Sequence, residues 1–157
     1  MYRTTDGGQS WTQTFANDEP TAFYDCMAFF DRRNGLALSD PVDGKFRVLS
    51  TSDGGASWSV VPPDGMPPAL TGEFAFAASG QCITTYGRSH AWIASGGGAT
   101  ARVFHSDDRG HTWSVHDTRC AAARVRVSLP SRSVRRRPAS PSVATSPHPT
   151  TAPTLWR

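Results

Sequence analysis

Three stretches decide the reading of this chain: TTDGGQSW (residues 4–11), TSDGGASW (51–58) and SDDRGHTW (106–113). Each reads Ser/Thr-x-Asp-x-Gly-x-Ser/Thr-Trp. Their aspartates, Asp6, Asp53 and Asp108, lie 47 and 55 residues apart. Self-similarity at that period is the length of one four-stranded propeller blade with variable loops. The chemistry of the motif is that of a turn. The carboxylate accepts from nearby backbone N–H groups, and the glycine takes a positive φ. The hydroxyl residues close the same turn. The tryptophan then opens a strand and packs into the sheet. Gly8, Gly55 and Gly110, with Trp11, Trp58 and Trp113, are therefore read as structural, and all three tryptophans are expected to be buried. The alternative, that the aspartates bind calcium, lacks the further oxygen ligands and terminal Glu of an EF-hand loop.

Working outward from these turns gives an all-β chain, a partial β-propeller of antiparallel four-stranded blades. Residues 1–15 are the last two strands of a blade. Residues 16–62 are a complete blade, with strands at YDCMAFFD (24–31), LALSD (36–40), FRVLSTSD (46–53) and SWSVV (57–61). Between its second and third strands lies a loop, PVDGK. Residues 63–118 are a second blade with an inserted loop. Its strands are QCITTYG (81–87), HAWIAS (90–95), ARVFHSD (101–107) and HTWSVH (111–116), and EFAFAAS (73–79) is an extra extended piece in the connection before it.

Charge separates this part from the remainder. Residues 1–118 hold all 13 acidic residues and eight cations, and 119–157 hold eight Arg and no acid, so the net +3 of the chain arises in its tail. Residues 119–157 lack Gly, Asp, Asn, Phe and Tyr. They read as a disordered Arg/Pro/Ser/Ala-rich tail produced by out-of-frame translation. Back-translation in the shifted frame restores alternating apolar residues and a Gly-rich turn. The rival reading is a true Pro/Ser/Arg linker or nucleic-acid arm. No nucleic-acid partner is expected.

No run of about 18 apolar residues is present, so no membrane insertion is expected. MYRTTDGG has no apolar core of a signal peptide. Cys26, Cys82 and Cys120 match neither a metal motif nor a paired disulfide framework, and Cys26 and Cys82 are read as buried core thiols. No nucleotide, redox or metalloprotease motif occurs, so no cofactor and no metal are expected.

These segments resemble the Asp-box (BNR) repeat propellers of the sialidase-like superfamily. Within that group YRTTDGGQSW, FYDCMAFFDRRNGLALSDPVDGKF, MPPALTGEFAFAASG and FHSDDRGHTW are most similar to the photosystem II stability/assembly factor-like family. The resemblance covers about residues 1–118. It implies a non-enzymatic scaffold or binding propeller in an extracytoplasmic compartment, with a protein partner or a carbohydrate-like ligand. The alternative it raises is a fragment of an exo-sialidase-like glycoside hydrolase. Such an enzyme needs an arginine cluster, a Tyr–Glu pair and an acid/base Asp. Here Arg32 and Arg33 lie in a turn on the side of the repeated aspartates, Arg88 and His90 lie in the equivalent turn, and Arg47 and Arg102 lie in third strands. No catalytic residue is assigned. In a propeller, ligands meet the loops at the opposite end of the strands, so the candidate binding residues are Asp25, Asp40, Asp43, Lys45 and Glu73.

Overall fold

A computed structural model describes residues 1–75 and 81–119. The expectations for 76–79 and for the tail beyond Arg119, Cys120 included, lie outside these. The described residues fall in one compact unit. They hold eleven strands, one 3-10 turn at Pro63–Gly65 and no α-helix. The protein is all-β, with antiparallel sheets of four and five strands that have the form of propeller blades.

A first sheet pairs β1 (Tyr2–Arg3) with β2 (Thr12–Gln13). The second has the order β3 (Tyr24–Phe29), β4 (Gly35–Val42), β5 (Lys45–Thr51), β6 (Ser59–Val60). The third contains β7 (Phe74–Ala75), β8 (Ile83–Tyr86), β9 (His90–Gly96), β10 (Arg102–Ser106) and β11 (Ser114–Asp117). Its inner position is split between two strands. β7 pairs with Ser95 and Gly96, and β8 pairs with His90–Ile93, so both align antiparallel along β9. Phe74 and Ala75 thus belong to the inner edge of this sheet itself rather than to a connection outside it.

The register around each repeated turn is the same. Tyr2 faces Gln13, Leu49 faces Val60 and Phe104 faces Val115. These pairs are related by the 47- and 55-residue shifts of the motif. Period-2 alternation sends one side of each sheet to a shared core. Leu36, Leu38, Phe46 and Val48 from the second sheet meet Ile83, Ala91, Ile93, Phe104 and Trp113 from the third. The rings of Phe46 and Phe104 meet edge-on with centroids 5.2 Å apart.

Three expectations are corrected. PVDGK is not an open loop: β4 runs on to Val42, which pairs with Lys45 across Asp43 (φ 51) and Gly44 (φ 74). Two consecutive positive φ values make the two-residue type I′ hairpin turn that Asp-Gly favours. The tryptophans are not equally buried. Trp113 is 7% exposed, Trp58 is half-buried and Trp11 is 61% exposed. Trp113 and Trp58 differ in what the sheet before them in chain order supplies. Trp113 lies against Phe46, Val48 and Met66 of the preceding sheet and its following connection. Trp58 lies in a groove with Tyr2 and Phe29. No described sheet precedes Trp11.

The third correction concerns sulfur. Cys26 and Cys82 are not free thiols but form a disulfide, with Cα atoms 6.3 Å apart, well within bridging range. It joins the inner strand β3 to the residue preceding β8, beside the hydrogen bond from Thr85 Oγ1 to Phe29 O at 2.8 Å. The 56-residue separation encloses most of the second sheet. A bridge of that span stabilises by about 2–4 kcal/mol. Reduction, or Cys82→Ser, is expected to lower the denaturation midpoint accordingly. Peptide mapping without reductant should recover the Cys26–Cys82 pair, and two alkylated thiols instead would refute it.

Candidate functional site

Short loops at the two ends of the strands carry the polar side chains. At one end stand the three aspartate turns, which repeat atom for atom. Asp53 Oδ1 accepts from Ser57 N at 2.9 Å and from Thr51 Oγ1 at 2.8 Å, and Oδ2 accepts from Ser57 Oγ at 2.7 Å. Asp6 does the same with Ser10 and Thr4, and Asp108 with Thr112 and Ser106. The leading hydroxyl in turn accepts from the glycine N–H of Gly8, Gly55 or Gly110. Those glycines hold φ of 93°, 80° and 84°. Hydrogen bonds from the following Ser hold the carboxyls of Asp6 and Asp53 far below the usual range. Burial pushes Asp108 up, but its bonds to Thr112 and Ser106 outweigh that and leave it lowered. Groups so tuned are fixed anions that hold turns together, and they have no proton to give near neutrality.

The neighbouring turns brace them. Gly54 N donates to Arg33 O at 2.8 Å and Arg109 N to Ser89 O at 2.9 Å. Arg33 Nε reaches Ser52 O, and Arg109 Nε reaches Arg88 O at 2.9 Å. Asp31, which the sequence reading did not single out, organises the β3–β4 turn. Its carboxylate accepts from Arg33 N, Asn34 N and Asn34 Nδ2, and the bonds from Asn34 and Arg33 hold its carboxyl at about 2.

At the opposite end the candidate residues divide. Asp40 Oδ1 accepts from Ala75 N at 3.0 Å, tying the second sheet to β7. Asp43 forms the type I′ turn and is exposed. Lys45 Nζ donates to Pro63 O at 2.9 Å, and Ala69 N donates to Gly44 O at 2.7 Å, so the connection from 63 to 73 straps over this hairpin. Asp25 occupies the bulge between Tyr24 and Cys26. Glu73 departs from expectation. Only 2% exposed, it is ion-paired with Arg102, accepts from Ser95 Oγ, and its Oε2 accepts from Leu70 N at 2.7 Å. Burial raises its carboxyl, but the bonds from Arg102 and Ser95 prevail and lower it. Arg102 also donates to Pro68 O and lies over the Phe104 ring. The alternation of ARVFHS turns Arg102 inward with Phe104, which is why a third-strand arginine and a loop glutamate meet.

Outside both ends, β9 and β10 carry a ring array that the sequence reading passed over. Trp92 lies over His105 at 4.9 Å between centroids, and His90 Nδ1 is 3.2 Å from His105 Nε2. The signal was the alternation of H-A-W with F-H on neighbouring strands. Among the described residues no three His, Cys, Asp or Glu side chains cluster as metal ligands.

No protein-family model and no curated protein matches this chain. Six chains of solved structures do. One of them is YCF48 bound to a D1 peptide, which is 24% identical in sequence with a TM-score of 0.47. The match covers 73% of this chain and 32% of that one, so the present chain spans about a third of that protein's length.

Proposed function

We propose that the protein is a non-enzymatic propeller module, a scaffold that binds a protein partner through loops on rigid Asp-box blades, of the kind found in photosystem II assembly factor-like proteins. The observation that carries this reading is the engagement of its carboxylates. Asp6, Asp53 and Asp108 are spent on turns, Asp31 on the β3–β4 turn, and Glu73 on Arg102. A retaining glycosidase needs two carboxyl groups about 5–5.5 Å apart across a cleft, one able to hold a proton. Of the four remaining candidates, Asp25 sits at the bulge in β3, and Asp40, Asp43 and Lys45 border one hairpin and its strap, which suits them to contact a macromolecular surface. The Cys26–Cys82 bridge fits assembly in an oxidising, extracytoplasmic compartment.

The test is hydrolysis of a fluorogenic sialoside by the full chain. No release above the buffer blank is expected. Release that disappears in Asp43→Ala would overturn the scaffold reading and favour the hydrolase.

A further inference from the structure

A cleft of about 230 Å³ opens between the second and third sheets on the side of the aspartate turns. One wall carries Ser50, Ser52, Ser57 and Ser59, and the other Arg109 and His111. The same cleft occurs a second time. Shifted back along the motif by 47 residues, the serine wall becomes Arg3, Thr5, Ser10 and Thr12; shifted by 55, His111 becomes Ala56. Those residues line a separate cleft of about 150 Å³ beside the first sheet. The molecule therefore contains its own reference. Repetition of the fold accounts for a hydroxyl-lined cleft between successive turns, but not for Arg109 and His111 on a wall whose motif equivalents are Gly54 and Ala56. The twin's cation, Arg3, comes from the opposite wall and has its Nε on Gly54 O at 3.1 Å.

Arg109 is costly where it stands. It holds φ 63, and its equivalent Gly54 holds φ 76. A side chain in this left-handed region carries backbone strain that glycine avoids. The backbone bond that the position requires, to Ser89 O, is made equally by Gly54 to Arg33 O. The guanidinium uses Nε on Arg88 O, and the residue lines the cleft. The acid facing it is Asp31, whose carboxylate is already held by Arg33 and Asn34. Ser57 Oγ is held by Asp53, while Ser50, Ser52 and Ser59 also line the cleft.

We propose that this cleft binds the oxyanion of an acidic ligand, a carboxylate or phosphate group, with Arg109 as the charge-assisted donor, His111 as a second donor and the serine hydroxyls completing the shell. The proposal deepens the binding-module reading and rests on it, but its test involves no hydrolysis, so the two can fail separately.

The experiment titrates the full chain with inorganic phosphate and, separately, with succinate at constant ionic strength, followed by calorimetry. Saturable binding of one anion is expected, and which anion binds identifies the group. Arg109→Gly, the residue its twin carries, should fold at least as stably and bind at least about tenfold more weakly, the loss of one charge-assisted bond. His111→Ala reads the same contrast at an exposed position and should weaken binding several-fold. Arg47→Ala, a cation away from the cleft, should leave affinity unchanged. No saturable binding of either anion, full affinity in Arg109→Gly or His111→Ala, or equal weakening in Arg47→Ala would each overturn the proposal.

Discussion

Trp113→Ala is expected to lower the unfolding free energy by about 3–5 kcal/mol, while Trp11→Ala, the same substitution in the same motif, should stay within about 0.5 kcal/mol. The difference comes from what each indole meets. Trp113 packs against Phe46, Val48 and Met66, and its removal leaves a cavity at the junction of two sheets. Trp11 keeps its indole bond to Gly8 O but has no sheet to cover. Trp58, edge-on to Phe29, should fall between them. Urea midpoints of the three variants check the order. Equal losses at Trp11 and Trp113 would mean that the indole supports its own turn rather than the contact between sheets.

Removing Glu73 is expected to be as damaging, for an electrostatic reason. Glu73→Ala leaves the Arg102 guanidinium buried with Pro68 O, the Phe104 ring and only the weaker field of the cross-strand Asp117. An uncompensated buried charge costs about 3–5 kcal/mol. Replacing both partners, as in Glu73→Leu with Arg102→Leu, removes the charge together with its counter-charge and should cost less than Glu73→Ala alone. The same pair sets a pH dependence. Because the folded carboxyl is lowered, its contribution is present above the ordinary glutamate value near 4.5 and fades as pH falls below it. A double variant less stable than Glu73→Ala would show that packing, not charge, governs the site.

How much could be read in advance follows from the range of each interaction. The repeated motif is local, and its hydroxyl, carboxylate and glycine all act within five residues, so the all-β blades were legible from spacing alone. The type I′ turn at Asp43–Gly44 was equally local and carried the clearest hairpin signal in the chain, yet PVDGK reads as a loop if its proline is given more weight than its Asp-Gly. Partners far apart in sequence were not legible. Glu73 meets Arg102 across 29 residues and Cys26 meets Cys82 across 56. Both pairings depend on β7 and β8 sharing β9, which no periodicity announces. Burial of the tryptophans was misread because the motif specifies the turn, whereas burial depends on the neighbouring sheet.

That dependence has a direction. Trp113 covers the sheet made before its own, and Trp58 shares a groove with Tyr2 of the sheet made before its own. A ribosome releases the chain from its N-terminus at about 5–20 residues per second, and structure forms in that order. When Trp113 emerges, Phe46 and Val48 are already outside and paired. Each unit arrives with the piece that fastens it to what is already folded, so growth needs no residue not yet synthesised. The molecule is laid like courses of roofing tile, each overlapping the last.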